Sequence, residues 1–306
     1  MSGWPWMKNE QVAIADTCID DADDEFEERR PSVKELISQN RLLIDDVKSE
    51  LCNRELYDET KHDDLWILRF LLSHKKDTIR ALAAAEATLV YRKIHALDEK
   101  DVRAFPPQHR DQILNNESFH RLFEGGIGED SITVVVPDKK RRGVVIYFNV
   151  SSIDTHALAN VEQEDWLRGM TYVNEFQFQW LDYLTRTTGR LTKSTHIVDV
   201  AGIYFGMFNM TTQRKYTSST RAMQDCYPQA VQAYLVCHAP VWIEGPWRYL
   251  KALLPSRVVE KLDFLNPRQY DEDLKRLLQY VPKALLPERF GGENQPWPPA
   301  FMPPLD

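Results

Sequence analysis

Eight histidines, four cysteines and one glycine-dense loop are the places where this sequence could carry chemistry. Cys18, Cys52, Cys226 and Cys237 include no Cys-x-x-Cys pair and no zinc spacing. Neither Cys226 nor Cys237 has an arginine six residues on, which removes a cysteine-phosphatase loop. The histidines are dispersed, without His-Glu-x-x-His or His-x-x-Glu-His, so no metal site and no cofactor is expected. Gly125-Gly126-Ile127-Gly128 lacks the Gly-Lys-Ser/Thr of a P-loop and precedes a strand-like run, whereas a dinucleotide fingerprint follows one. No Gly-x-Ser-x-Gly elbow is present. These failures point to a carrier or an interaction module rather than an enzyme.

Charge narrows the partners. The 306 residues hold 46 acids and 38 Lys plus Arg, a formal charge of −8, which argues against nucleic acid as a partner. Much of the excess is local: residues 1–30 carry nine acids against Lys8, Arg29 and Arg30, with seven acids packed between Asp20 and Glu28. Such a block stays solvated, so an acidic tail that could serve a protein partner is expected there. The remaining chain is close to neutral, which permits brief contact with an anionic bilayer. Basic candidates for that contact are Lys139, Lys140, Arg141 and Arg142 in one turn, with Arg214, Lys215 and Arg221. No basic, apolar leader opens the sequence, and the most apolar stretch, 230–247, is interrupted by Gln232, His238, Pro240, Glu244 and Pro246. Eight Trp, 13 Phe and 12 Tyr are too much apolar surface for a disordered chain.

The elements follow from periodicity. Ser32-Val33-Lys34-Glu35 is a capping box opening a helix with Val33, Leu36, Ile37, Leu43, Ile44, Val47 and Leu51 at helical spacing. A short apolar helix covers 64–72. Asp77 caps another, with Ile79, Leu82, Ala85, Leu89 and Ile94 on one face. Residues 31–105 are therefore expected to form a helical module. Beyond it, β-branched runs at 132–136 and 144–150 read as neighbouring strands, and 195–201 and 233–238 as further ones. Asn160-Val161-Glu162-Gln163 looks like the cap of a long helix to Gly189, striped by Trp166, Met170, Val173, Gln177, Trp180 and Leu184. Helical patterns also cover 211–224, 246–262 and 270–280. Strands alternating with helices predict an α/β fold with a mainly parallel sheet and right-handed crossovers. The tail 293–306 is Pro-rich and expected to be extended.

Four ordered segments carry a resemblance. They are Leu68-Arg69-Phe70-Leu71 with Lys75-Lys76-Asp77, Thr195-His196-Ile197-Val198-Asp199-Val200-Ala201-Gly202, Gln224-Asp225-Cys226-Tyr227-Pro228 followed by His238-Ala239-Pro240, and Leu286-Pro287-Glu288-Arg289-Phe290-Gly291-Gly292. Together they resemble the CRAL-TRIO lipid-binding proteins, over about residues 60 to 292. The resemblance implies an N-terminal helical module and a domain over 106–292 whose sheet lines a lipid cavity under a mobile lid helix. Val241, Trp242, Ile243, Trp247, Tyr249, Leu250, Leu253 and Leu254 would form the lid and touch membrane, as bulky interfacial side chains can.

Strand alternation places Ser194, His196, Val198 and Val200 on one face, with Val198 and Val200 expected to line the cavity. In phospholipid-transferring relatives a Ser and a Thr at the positions of Ser194 and His196 hold a phosphate; here Ser194 matches and His196 departs. Lys251 and Lys75 match lysines that contact inositol phosphate, while Ser218 replaces the glutamate that pairs with them. Ala201 and the Gly245-Pro246 interruption are further departures. The resemblance implies a cytoplasmic, monomeric lipid-transfer protein that meets membranes from the surface, holds one phospholipid or other small lipid, and needs no cofactor. A non-transferring, protein-binding regulatory module is the alternative, and would fill its cavity with large side chains.

Overall fold

The computed structural model describes residues 30–99, 101–102, 132–135, 145–207, 209–243, 247–248, 251–252, 256–265, 270–281, 283 and 286–293. The acidic tail, the basic turn at 139–142 and the Pro-rich tail lie outside them.

The N-terminal module is helical. It comprises α1 (Val33–Gln39), α2 (Arg41–Leu51), α3 (Asp64–Ser73) and α4 (Thr78–Ile94). The single helix expected from Ser32 onward breaks at Asn40, whose backbone leaves the helical region while its side-chain amide donates to the Leu36 carbonyl at 2.7 Å. Ser32, Asp63 and Asp77 each accept a backbone N–H as N-caps, satisfying a donor that the helix start leaves open. Ile44, Val47, Leu51, Trp66, Phe70, Ala81 and Ala85 close a common core. The face of α4 differs from the expected one. Ala81, Ala85, Thr88, Leu89 and Arg92 are buried, while Ile79 is 80% and Ile94 72% exposed. Small alanines let α4 approach its neighbours closely, and Arg92 is turned inward by a carboxylate described below.

The second part is a five-stranded sheet in the order β1 (Ile132–Val135), β2 (Val145–Asn149), β3 (Ser194–Asp199), β4 (Val231–Cys237) and β5 (Leu262–Phe264). The first pair is antiparallel and the other three are parallel. The sheet thus matches the expected mixed α/β class, with β5 as an addition: residue 262 was expected to end a helix. Between β2 and β3 run α5 (Thr155–Asn160) and the long α6 (Gln163–Thr188); α7 (Met210–Cys226) joins β3 to β4. The long helix does start at the expected 160–163 and end at Gly189, with Glu162 as its N-cap residue though without a side-chain cap bond, while Asn160 closes α5, itself capped by Asp154.

With the parallel strands in sequential order, crossovers of one hand place their helices on one face. On that face Trp166, Tyr172, Phe176, Trp180 and Leu184 pack with Ile146, Tyr227 and Val231. The opposite face, with Val145, Tyr147, Ile197, Leu235 and Cys237, is covered by Leu277 of α9 (Tyr270–Leu278) and by Val281, Leu286 and Phe290. Gly292 closes this cover so tightly that an added Cβ would lie 1.7 Å from the Leu286 carbonyl oxygen, so only glycine fits.

Of the 246–262 segment, 247–248, 251–252 and α8 (Ser256–Val259) are helical among the described residues. A continuous lid helix is not displayed, since Tyr249, Leu250, Leu253 and Leu254 lie outside those residues.

Candidate functional site

A cavity of about 390 Å³ lies between the helical layer and the sheet. Periodicity explains its walls. On α6, Met170, Val173, Asn174 and Gln177 recur at helical spacing and face inward. On β3, His196 and Val198 alternate inward and Val200 continues the row past the strand end; β2 supplies Ile146 and Phe148, and β4 supplies Tyr234 and Val236. Thr212, Gln213, Tyr216 and Thr217 of α7 add a third wall. Val150, Ile153, Thr155, Ile203, Met207, Ser219, Ile243, Trp247, Leu262 and Phe264 complete it. No Asp, Glu, Lys or Arg is among these lining residues. The volume is in the range that holds one small ligand.

One wall is polar. The Gln177 amide donates to Ser194 Oγ and lies 3.2 Å from His196 Nε2. Ser194 Oγ is 3.1 Å from the same nitrogen and donates to the Ala230 carbonyl at 3.0 Å. His196 stacks on Phe148 at 6.0 Å and meets Tyr234 at 4.7 Å between ring centroids. Burial, with a smaller contribution from Lys261, pulls its pKa down from 6.5 to about 3, so the imidazole is neutral. Tyr216 is pushed up to about 12 by burial and stays a phenol.

The expected residues divide clearly. His196, Val198 and Val200 line the cavity; Ser194 sits fully buried behind His196 and orients it. Ile243 and Trp247 also line it, with the Trp247 ring 4.8 Å from Phe264. Trp242 points outward at 40% exposure, its ring 6.5 Å from that of Phe205. Val241 opens the same 3-10 turn. Lys75, Lys251 and Ser218 are exposed and none lines the cavity; Ser218 Oγ donates to the Lys215 carbonyl at 2.7 Å. Lys215 is not a surface contact. It is buried, and its ammonium donates to the carbonyls of Leu158 at 3.0 Å, Ala159 at 2.9 Å and Val161. That ammonium satisfies carbonyls left open where α5 ends.

Sequence reasoning did not single out Asn174, Phe148, Tyr234 or the 203–207 segment. Tyr234 was accessible through its alternation with Val236, and Asn174 through its place between Met170 and Gln177. The 203–207 turn had no periodic signal. There Ile203 and Met207 line the cavity while Tyr204 and Phe205 are 59% and 73% exposed. This segment therefore presents some side chains to the cavity and their neighbours to solvent.

A second cluster lies at the carboxyl ends of the strands. Asp199 accepts from the Ala201 amide at 2.9 Å, pairs with His238 Nδ1 at 2.9 Å and meets Arg289 at 2.8 Å. Burial alone would raise its pKa, but these partners outweigh it and hold the carboxyl low. His238 and Arg289 both lie against the Phe290 ring. The cluster ties β3 and β4 to the closing Leu286–Gly292 segment. Among the described residues no group of three His, Cys, Asp or Glu could hold a metal.

Residues 129–292 match the model of the CRAL/TRIO domain. The phosphatidylinositol/phosphatidylcholine transfer protein SFH14 of Arabidopsis thaliana is 22% identical over 279 residues, covering 90% of this chain and 43% of that protein. The CRAL-TRIO domain-containing protein F28H7.8 of Caenorhabditis elegans is 22% identical over 261 residues, covering 84% of this chain and 57% of its own. The chain thus spans about half the length of the curated relatives it matches. Among solved structures, that of Sfh5 superposes with a TM-score of 0.54 at 15% identity, covering 88% of this chain and 90% of that one, which is a likeness of fold.

Proposed function

This chain belongs to the CRAL/TRIO family, and from that premise we propose that it binds one lipid in the cavity and exchanges it at membrane surfaces without covalent chemistry. The observation that carries the proposal is the cavity itself, apolar on most sides and free of charged lining among the described residues. An interaction module of the same fold would fill this space with side chains. The name of SFH14, a phosphatidylinositol/phosphatidylcholine transfer protein, supports the lipid reading at the level of the family.

Exchange requires a path between cavity and bilayer. Exposed Tyr204, Phe205, Met210 and Trp242 surround the part of the wall formed by Ile203, Met207 and Ile243. Aromatic side chains of this kind settle at the membrane interface, and the same backbone shift that inserts them would open the wall. Closed and open forms then bury similar apolar area, in the first case against the lipid and in the second against the bilayer, so exchange needs no energy source. Exposed Lys251, four residues after the cavity-lining Trp247, is proposed to meet anionic headgroups at that surface rather than inside the cavity, whereas Lys75 lies by Ser73, which accepts from Gln229 ahead of β4, at the other end of the strands. Among the described residues no helix is long and apolar enough to cross a membrane. Among the described residues Cys52, Cys226 and Cys237 form no disulfide, which suits the cytoplasm.

A transfer assay tests the proposal. Donor vesicles carrying tritiated lipids are mixed with unlabelled acceptors and catalytic amounts of protein. Transfer of at least one lipid well above the spontaneous rate is expected. No acceleration for any lipid, together with no lipid bound to the re-isolated protein, would overturn it.

A further inference from the structure

The polar groups of the cavity wall define the chemistry of what it holds. Asn174 is 4% exposed and lines the cavity, yet its carboxamide makes no hydrogen bond among the described residues. The Tyr234 hydroxyl, on the strand facing the same space, likewise has no partner there. Both groups face the cavity space, and a ligand that displaced water from them without replacing the lost hydrogen bond would cost about 1–3 kcal/mol for each, so a ligand that bonds them is favoured. Asn174 sits one helical turn from Gln177, which contacts His196, and the His196 ring touches that of Tyr234. Asn174, Gln177, His196 and Tyr234 therefore form one contiguous polar patch on the α6, β3 and β4 walls, in a cavity whose other polar lining, Thr155, Thr212, Gln213, Tyr216, Thr217 and Ser219, is likewise uncharged.

This patch is uncharged and two-sided. An amide and a phenol offer both donors and acceptors. His196 is held neutral, and its Nε2 is already engaged by Gln177 and Ser194. A phosphate would bring one or two negative charges into a space with no cation in its described lining, and would meet carbonyl oxygens as well as donors. Burying a charge without a partner costs several kcal/mol. A hydroxyl or carbonyl group carries no such cost and can use both kinds of group.

We propose that the ligand of this cavity is an uncharged lipid whose hydroxyl or carbonyl end is held by Asn174 and Tyr234 beside His196, and that phospholipid headgroups are excluded. The proposal rests on the lipid-binding reading above and narrows it to one ligand class.

The test uses the full chain and phosphatidylcholine vesicles carrying trace tritiated octadecanol, cholesterol, octadecane, phosphatidylinositol or phosphatidylcholine, with label counted on the re-isolated protein. At least one alcohol should be retained stoichiometrically, and both phospholipids at a level about tenfold lower or less. Asn174→Leu and Tyr234→Phe, each checked for an unchanged melting temperature, should lower alcohol retention several-fold while octadecane retention is unaltered. Phospholipid retained as well as either alcohol would overturn the ligand class and leave the lipid cavity standing. Alcohol retention unmoved in both variants would overturn the proposed recognition. Failure to retain any probe, octadecane included, would overturn the lipid-binding reading together with this one.

Discussion

Arg92 of α4 grips Glu175 of α6 with both arms of its guanidinium, at 3.1 Å and 3.0 Å, in a place where neither side chain reaches solvent. Asp98 takes the remaining guanidinium edge, and Gln179 donates to the same Glu175 carboxylate at 2.8 Å. Two turns along α6, Asp182 meets buried Arg69 at 3.2 Å and Arg186 at 2.6 Å, and Arg186 reaches Asp63 at 2.6 Å. One side of α6 is therefore held by charges of the N-terminal module while another side, through Met170, Asn174 and Gln177, forms a wall of the cavity.

Removing one partner should leave a buried charge uncompensated. Arg92→Met is expected to cost about 3–5 kcal/mol, and Arg92→Met with Glu175→Met less than the two single changes combined. Urea unfolding of the three variants checks this; additive losses would show that the pair does not couple the module to α6.

The exposed aromatics should govern membrane contact without affecting stability. Phe205→Asp and Trp242→Asp are each expected to weaken partition onto anionic vesicles about tenfold while leaving the melting temperature unchanged, since neither side chain is in the core. Vesicle co-sedimentation provides the measurement.

His196 sets a pH dependence. Its folded pKa of about 3 lies below the ordinary 6.5, so between these values the unfolded chain binds a proton that the folded chain refuses. Stability therefore falls as pH drops below about 6.5, by up to about 1.4 kcal/mol per unit. From pH 6.5 to about 5, the wild type should lose about 1.5 kcal/mol more than His196→Gln, a change with no ionisable ring. Parallel denaturation curves at the two pH values check the difference.

Gly292→Ala should be among the most damaging surface-segment changes. Its Cβ would overlap the Leu286 carbonyl, forcing the closing segment off the sheet face at a cost of at least about 2 kcal/mol. Hydrogen exchange should rise at Val281, Leu286 and Phe290 before it rises in α6.

The strongly periodic elements were legible in the sequence. Strand alternation grouped Ser194, His196, Val198 and Val200 on one face and Ile197 on the other; in the structure His196, Val198 and Val200 face the cavity and Ile197 the opposite core, and the β-branched runs before and after 139–142 do pair. Helical stripes were less decisive, because apolar periodicity does not say which neighbour a face meets. On α4, isoleucines at 79 and 94 suggested one face, but compact alanines and an arginine with a distant carboxylate decided another. Asn174 and Lys215 were unreadable for a related reason. Asn174 looks like an ordinary polar helix position and Lys215 like a surface charge until tertiary structure brings a cavity to one and three carbonyls to the other. The three-residue β5 carries too short a pattern to stand apart from the helical run before it.

The central claim, that the cavity holds a lipid, is tested most directly by native mass spectrometry of the full chain beside Val198→Trp, a change that fills the cavity from the β3 wall. The wild type recovered from cells or vesicles should carry the added mass of a single lipid, extractable with organic solvent, and Val198→Trp should fold normally and fly at its bare mass. Bare wild-type protein after exposure to vesicles, or equal lipid loading in the filled variant, would contradict the account.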